Sequence, residues 1–548
     1  MVISGIVCLS LLQYAAAAIL GRTAGPVVDL GYAKYQGLVV EDAVSNATRT
    51  HFLGIRFAAP PTGLARFNAP SLPSTVPGIQ QANAQPPMCL QSPYGSAPTN
   101  PYRVDKSQDV HKRDESTSSE DCLFLNVYIP GNVKKSSKLP VVVWIHGGGY
   151  VLGSISETGY GGEYDGDSIL RQSQDSVILV SIQYRLGLFG FLAGQKVKEG
   201  GALNAGLLDQ QFALKWVQTY IERFGGDPRK VTIWGQSAGA GSVLQHVIAN
   251  GGRTNPPLFR GAITSSTFLP SQYRYNDRIP QAIYNETVTR AGCSSSADTL
   301  NCLRLADVNV LQAANVAINT AGFFGTFVFV PVVDGTFIQG RPTQLLKQKK
   351  VNGDQLYSVV NTFEGTIFID PSTENTVQVA QYISQLFPTL ESKNAQAAAM
   401  QYAGLGSNFA QVISIMGEAI FVCPTYYLQT SFGGKGYKGL FAIPPGNHGT
   451  DLIYYFPGSV SPGGDLPFSN PDFIKAFTQT FPDFVTSLNP NKKRESDITP
   501  PWSPWGGSNE MLFNQTEAGA PDVRPIKSSK ALLERCRFWE SVGSLTGQ

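Results

Sequence analysis

An excess of charge of either sign is the first thing this sequence lacks: 42 Lys and Arg stand against 40 Asp and Glu, and charged residues make up only 15% of 548. The longest basic runs, Lys112-Arg113 and Lys492-Lys493-Arg494, are short and sit among acidic or polar neighbours. A nucleic-acid interface needs a sustained basic patch, so that class of partner is not supported. Low charge combined with 42% hydrophobic residues argues against disorder and leaves ample material for a large core. Histidine is scarce, with five residues, and no CxxC pair or His/Cys cluster has metal-ligand spacing. No metal site is therefore expected. Beyond the N-terminus, no apolar run is expected to span a membrane, which argues against stable membrane insertion.

What is present points to export. An apolar stretch from Val2 to Leu12, followed by Tyr14-Ala15-Ala16-Ala17-Ala18, reads as a secretory signal over residues 1–18. It has no Lys or Arg in its n-region. Cys8 falls inside that segment and leaves Cys89, Cys122, Cys293, Cys302, Cys423 and Cys536. An even number in a secretory context suggests three bridges, whose pairing the count alone leaves open. Sequons at Asn46, Asn285 and Asn514 fit a glycosylated extracellular protein.

From residue 139 two hydrophobic periods alternate. Pro140–Ile145, Ser176–Ile182, Lys230–Trp234, Gly261–Thr264 and Leu356–Val360 are short, continuous apolar runs, as expected of strands buried on both faces. Between them, Phe212, Trp216, Val217, Tyr220, Ile221 and Phe224 recur at helical spacing until Gly225-Gly226. Strands alternating with helices imply an α/β fold with a large, mostly parallel sheet covered on both faces. The stretches 90–121, 458–470 and 485–510 read as loops, and none separates two self-sufficient cores. Residues 19–548 are therefore expected to form a single domain with loop insertions.

Two glycine-rich turns carry the chemistry. Gly235-Gln236-Ser237-Ala238-Gly239 follows one strand and opens a helix, the context of a nucleophile elbow. Side chains two positions either side of such a serine would collide, and glycine removes the collision. His146-Gly147-Gly148-Gly149 follows another strand. Ester hydrolysis builds negative charge on the carbonyl oxygen, and the N–H groups of Gly148, Gly149 and Ala238 are the expected donors to it. A base near neutral pKa must be a histidine. His51 precedes the sheet's active-site edges, His111 lies in a polar loop, His146 supports the glycine turn, and His246 is on the helix after the elbow. His448, in Gly446-Asn447-His448-Gly449, is the remaining candidate. The acid should lie between Ser237 and His448 after a strand, which leaves Glu364 and, as an alternative, Asp334.

These residues resemble the type-B carboxylesterase and lipase family, which includes the cholinesterases. The resemblance begins at Gly54-Ile55-Arg56-Phe57 and runs through Ser119-Glu120-Asp121-Cys122-Leu123, Tyr184-Arg185-Leu186-Gly187 and Phe224-Gly225-Gly226-Asp227-Pro228 to the Ser237 elbow. It implies the α/β-hydrolase fold and a serine esterase without cofactor, in which Glu364 is the acid and His448 the base. It also implies bridges Cys89–Cys122, Cys293–Cys302 and Cys423–Cys536, and structural ion pairs Arg56–Glu120 and Arg185–Asp209. Two departures bear on substrate. No Trp lies between Cys89 and Cys122 to stack a choline cation, and residues 103–115 of that loop are too charged for an apolar lid. Small or soluble carboxylic esters are thus expected, with lipase, sterol-esterase or feruloyl-esterase activity as alternatives. Gln236 replaces the Glu that many members carry before the serine. A non-catalytic, cholinesterase-like binding protein is the alternative from another class.

Overall fold

The computed structural model describes residues 23–548 except 43, 104–117, 132, 157–163 and 460–464. The expected signal segment, Cys8, His111 and most of the charged part of the first disulfide loop lie outside the described residues.

The chain opens with β1 (Thr23–Asp29), β2 (Lys34–Glu41), β3 (Thr48–Arg56) and β4 (Ile79–Gln81). Two-residue strands β5 (Met88–Cys89) and β6 (Ser118–Ser119) then pair beside the Cys89–Cys122 bridge. The strands that carry the site follow: β7 (Phe124–Pro130), β8 (Leu139–Ile145), β9 (Ile178–Ile182), β10 (Gly226–Gln236), β11 (Gly261–Ser265), β12 (Gln355–Asn361) and β13 (Tyr437–Phe441). β14 (Asn509–Gln515) and β15 (Pro521–Lys527) close the far edge. The large sheet has the order β1-β2-β3-β7-β9-β8-β10-β11-β12-β13-β14-β15, with β4 beside β2. From β9 to β14 all neighbours are parallel, and the strands at both ends are antiparallel except β4, which runs parallel to β2.

Burial on both faces is visible within single strands. Along β8, Val141, Val143 and Ile145 enter one core cluster, while Val142 and Trp144 enter the other. Trp144 lies in register with Trp234 of β10, and the rings meet edge to face at 5.4 Å. After β8 the chain passes to β9 on one side and then to β10 on the other. The carboxyl ends of β8 and β10 therefore flank the point where strand order reverses, the place where open α/β sheets form clefts.

Three expectations need correction. Arg56 pairs with Asp121 (2.6 and 2.7 Å), and Glu120 is held by Arg66 (2.6 and 2.7 Å). The two acids are adjacent, and their side chains diverge to different arginines. Arg185–Asp209 forms as expected, bidentate at 2.7 Å and buried. The stretch 485–510 is not wholly loop, because a helix reaches Ser487 and β14 begins at Asn509. Among the described residues, one helix, Asn408–Ser431, is long and apolar enough to cross a membrane by length and composition. Its apolar window is 67% buried inside the protein, Glu418 pairs with Arg535, and Cys423 is bridged to Cys536. Its hydrophobic surface is thus used by the core. A π-helical turn, Glu418–Val422, interrupts it just before Pro424. Proline has no N–H for a regular helical bond and crowds the preceding turn, which a widened turn relieves. The bridges Cys89–Cys122, Cys293–Cys302 and Cys423–Cys536 all form.

Candidate active site

β10 ends at Gln236, and a helix begins at Ala238 and runs to Ile248. Ser237 sits between them at φ 56° and ψ −124°, a sparsely populated conformation for a residue with a side chain. The surrounding structure holds it there: its N–H donates to Ser265 O (2.9 Å), and its carbonyl accepts from Gly241 N (2.8 Å). The flanking glycines are required by contact. A Cβ at 235 would lie 2.3 Å from the backbone of Gly239, and one at 239 would lie 2.0 Å from Ile145 O.

The loop leaving β8 lies directly against this elbow. A Cβ at Gly147 would fall 3.1 Å from that of Ser237. Gly148 and Gly149 have φ of 102° and 61°, and the Gly148 carbonyl accepts from Val151 and Leu152 N–H, both at 3.0 Å. Among the described residues, no backbone acceptor takes the N–H of Gly148, Gly149 or Ala238. The helix from Ala238 adds the positive end of its dipole at the same place. His146 turns away and stacks on Tyr184 at 4.5 Å, with Nδ1 2.9 Å from Gly147 O. Burial pushes its pKa down to about 4, as suits a neutral structural ring.

Glu364 follows β12 and His448 follows β13. The structure brings them together: His448 Nδ1 lies 2.6 Å from Glu364 Oε2, and both side chains are buried. The other carboxylate oxygen of Glu364 accepts from Asn361 N–H (2.6 Å) and Ser266 O–H (2.8 Å). The Asn361 side-chain amide donates to Asp451 Oδ1 (2.9 Å), and Tyr455 O–H donates to Asp451 Oδ2 (3.0 Å). Burial first, then the nearby Glu364 charge, pushes Asp451 up to about 6 against the opposing effect of its hydrogen bonds. The His448 ring is wedged between Phe368 (5.1 Å) and Phe421 (4.5 Å), and Phe421 is presented by the π-helical turn. Its Nε2 lies 3.3 Å from Gln236 Nε2, on the residue next to Ser237.

The competing candidates lie elsewhere in the fold. Asp334 closes a turn, accepting from Thr336 N–H (2.6 Å), Ile338 N–H (3.2 Å) and Asn204 (2.5 Å). His246 is buried against Gln210 (3.0 Å), and His51 on β3 meets Asp167 (2.8 Å). Asn46 and Asn285 are exposed and Asn514 is half-buried. The sequence reading did not single out Asn361, Ser266, Asp451 or Phe421. Asp451 and Asn361 had local signals, three residues beyond His448 and three before Glu364; Ser266 is brought in by the sheet and Phe421 by the π-helical turn.

Phe327 lies against Gly149, close enough that a Cβ there would be 2.0 Å from its ring. With Phe268, at 5.6 Å, it walls an apolar cleft that holds about 920 Å³ of atom-free space including its open mouth. Phe323, Ile279, Ile283 and Ile420 also line the cleft.

Comparison with known proteins agrees with this architecture. Residues 24–539 match a family model described as "Carboxylesterase family". "Secreted lipase 1" of Botryotinia fuckeliana is 35% identical over 506 residues, covering 82% of this chain and 83% of that one. "Carboxylesterase patB" of Penicillium expansum is 28% identical, covering 94% of this chain and 96% of its own. The crystal structure of Aspergillus niger EstA superposes with a TM-score of 0.82 at 30% identity, covering 96% of this chain and 99% of that one.

Proposed function

Since the chain belongs to the carboxylesterase family and has the α/β-hydrolase fold of enzymes that hydrolyse carboxylic esters, we propose that it works through an acyl-enzyme on Ser237, with His448 as base and Glu364 orienting it. The observation that carries this reading is the buried Glu364–His448 contact at the ends of neighbouring strands, with His448 Nε2 3.3 Å from the side chain of Gln236, the residue before the elbow serine. With Nδ1–H donated to Glu364, the lone pair on Nε2 can take the Ser237 proton. The alkoxide attacks the ester carbonyl, and the charge that develops on its oxygen meets the N–H groups of Gly148, Gly149 and Ala238. His448 returns the proton to the departing alcohol. Water, activated by the same ring, then releases the acid. Glu364 keeps the tautomer fixed and stabilises the imidazolium.

The substrates are soluble carboxylic esters, small ones included. The apolar cleft beside Gly149 supports an acyl group larger than acetyl. Lipase activity is a second reading, favoured by the same cleft and by a lipase among the relatives. Export is supported by three disulfides and a secreted relative. Intact Ser237, His448 and Glu364 argue against a non-catalytic binding protein. Ser237→Ala should abolish p-nitrophenyl butyrate hydrolysis and covalent labelling by an organophosphonate. Near-wild-type turnover in that variant would remove Ser237 from the mechanism. A rate profile from acetate to decanoate esters separates the two substrate readings.

A further inference from the structure

Gln236 stands immediately before the elbow serine, and the structure gives its side chain a specific place. Gln236 is buried, and its carboxamide lies between the two loops that bring the oxyanion donors and the histidine to the elbow. A Cβ at Gly147 would approach Gln236 Oε1 to 2.9 Å, and one at Gly449 would approach Gln236 Nε2 to 3.7 Å. Both loops are glycine at these points, and the amide fills the space so left. Its nitrogen lies 3.3 Å from His448 Nε2.

Hydrogen-bond inventory gives that contact a direction. His448 Nδ1 is committed to a carboxylate, so Nδ1 carries the proton and Nε2 offers a lone pair. A lone pair takes a donor, which the NH₂ of Gln236 supplies. Ser237 needs the same lone pair to lose its proton, so the amide and the hydroxyl compete for one acceptor. Once Nε2 is protonated, its N–H needs an acceptor, and rotation of the Gln236 amide by half a turn would offer Oε1. A carboxylate at 236 could serve only the protonated ring.

Resting on the assignment of His448 as base, we propose that Gln236 is a positioning residue: it donates to His448 Nε2 in the resting enzyme and keeps the ring parked until an ester in the site favours the Ser237 bond. The groups facing the ring are few. Among the described residues, Glu364 from the loop after β12 and Asp451 from the ring's own loop are the ionisable ones. Phe368, Phe421 and Gln236 are uncharged, and His146 is turned onto Tyr184. Glu364 and Asp451 are unaltered by substitution at 236, so a change in the pH profile reports on that position.

The test compares kcat/KM against pH for wild type, Gln236→Glu and Gln236→Met on p-nitrophenyl butyrate, with organophosphonate labelling rates measured on the same preparations. In Gln236→Glu the acid limb should move up by one pH unit or more, because an anion beside Nε2 favours the imidazolium. In Gln236→Met, which has similar length and no donor, the acid limb should stay within 0.3 pH unit of wild type on the scale of ~1 unit that a lost charge contact moves it. Labelling of that variant should speed up about threefold or more, because Ser237 no longer competes for the ring. An acid limb unmoved in a folded Gln236→Glu, or labelling in Gln236→Met that is unchanged or slower, overturns the proposal. If Gln236→Glu does not fold, the Met variant decides alone. Failure of the base assignment itself reads differently, as near-wild-type turnover and labelling that survive in His448→Ala.

Discussion

Alanine at Gly148 tests the oxyanion loop at its least forgiving point. The new Cβ would lie 2.0 Å from Leu152 O and 2.6 Å from Leu152 C, both backbone atoms of the same turn. That turn is closed by the bonds from Val151 and Leu152 N–H to Gly148 O, so the clash cannot be relieved by turning a side chain. The φ of 102° is also one that alanine rarely adopts. The turn must therefore shift, and the N–H of Gly148 moves with it. Losing one donor to a developing oxyanion costs about 2.7–4 kcal/mol, or roughly 10²–10³ in kcat. The contact strengthens only as charge develops, so KM should stay within a few-fold of wild type. Steady-state kinetics on p-nitrophenyl butyrate, normalised to the fraction labelled by an organophosphonate, reads this directly. Gly404→Ala is the control. It has a positive φ of 84° and open space around the new methyl, so it carries the backbone cost alone and should leave kcat unchanged. A folded Gly148→Ala whose kcat falls less than about threefold would refute the placing of this loop at the reacting oxygen.

Two further outcomes follow from burial and covalent structure. Asp451 has a folded-state pKa of about 6 against 3.8 for the free group. Between those values the folded protein binds the extra proton, so the carboxylate's penalty on folding is complete above about pH 6 and disappears below 3.8. Asp451→Asn should therefore gain up to about 3 kcal/mol of stability at neutral pH and only about 1 kcal/mol near pH 4.5. Urea titrations at both pH values check this, and a variant no more stable than wild type at neutral pH contradicts it. Replacing Cys423 and Cys536 together by alanine opens a loop of 113 residues, with an expected loss of up to about 5 kcal/mol. A melting temperature unchanged within a degree would show that the bridge adds nothing to the folded state.

Residues whose chemistry depends on local turn geometry were legible in the sequence. Gly235 and Gly239 could be assigned because each contact they avoid is made within the elbow or with the neighbouring strand end. The parallel strands could be assigned because residues such as Val143 and Trp144 face opposite cores and both must be apolar. Choosing Glu364 over Asp334 was harder, since each follows an extended run and precedes glycine. Asn361 is three residues from Glu364, but the carboxylate's other partner, Ser266, arrives only when β11 and β12 pair. The mistaken Arg56–Glu120 pair has the same origin. Two adjacent acids offer two arginines four combinations, and the direction of each side chain is set by packing remote in sequence. The terminal strands β1 and β15 carry weaker signals because both are largely wet, with one buried residue in β1 and none in β15.

The π-helical turn at Glu418–Val422 acts as a phase correction in the long helix that contains it. A regular helix advances about 100° per residue, so one residue more or fewer in that turn rotates everything beyond it by that angle. Upstream of the turn, Ile415 and Met416 are already seated in the core. Downstream, Cys423 must meet Cys536, while Phe421 within the turn must meet the imidazole. These demands do not fall on one uninterrupted helical face. A deletion that restored ideal geometry here would improve the backbone and mis-aim both partners at once, so the irregularity is what lets a single rod serve the bridge and the ring together.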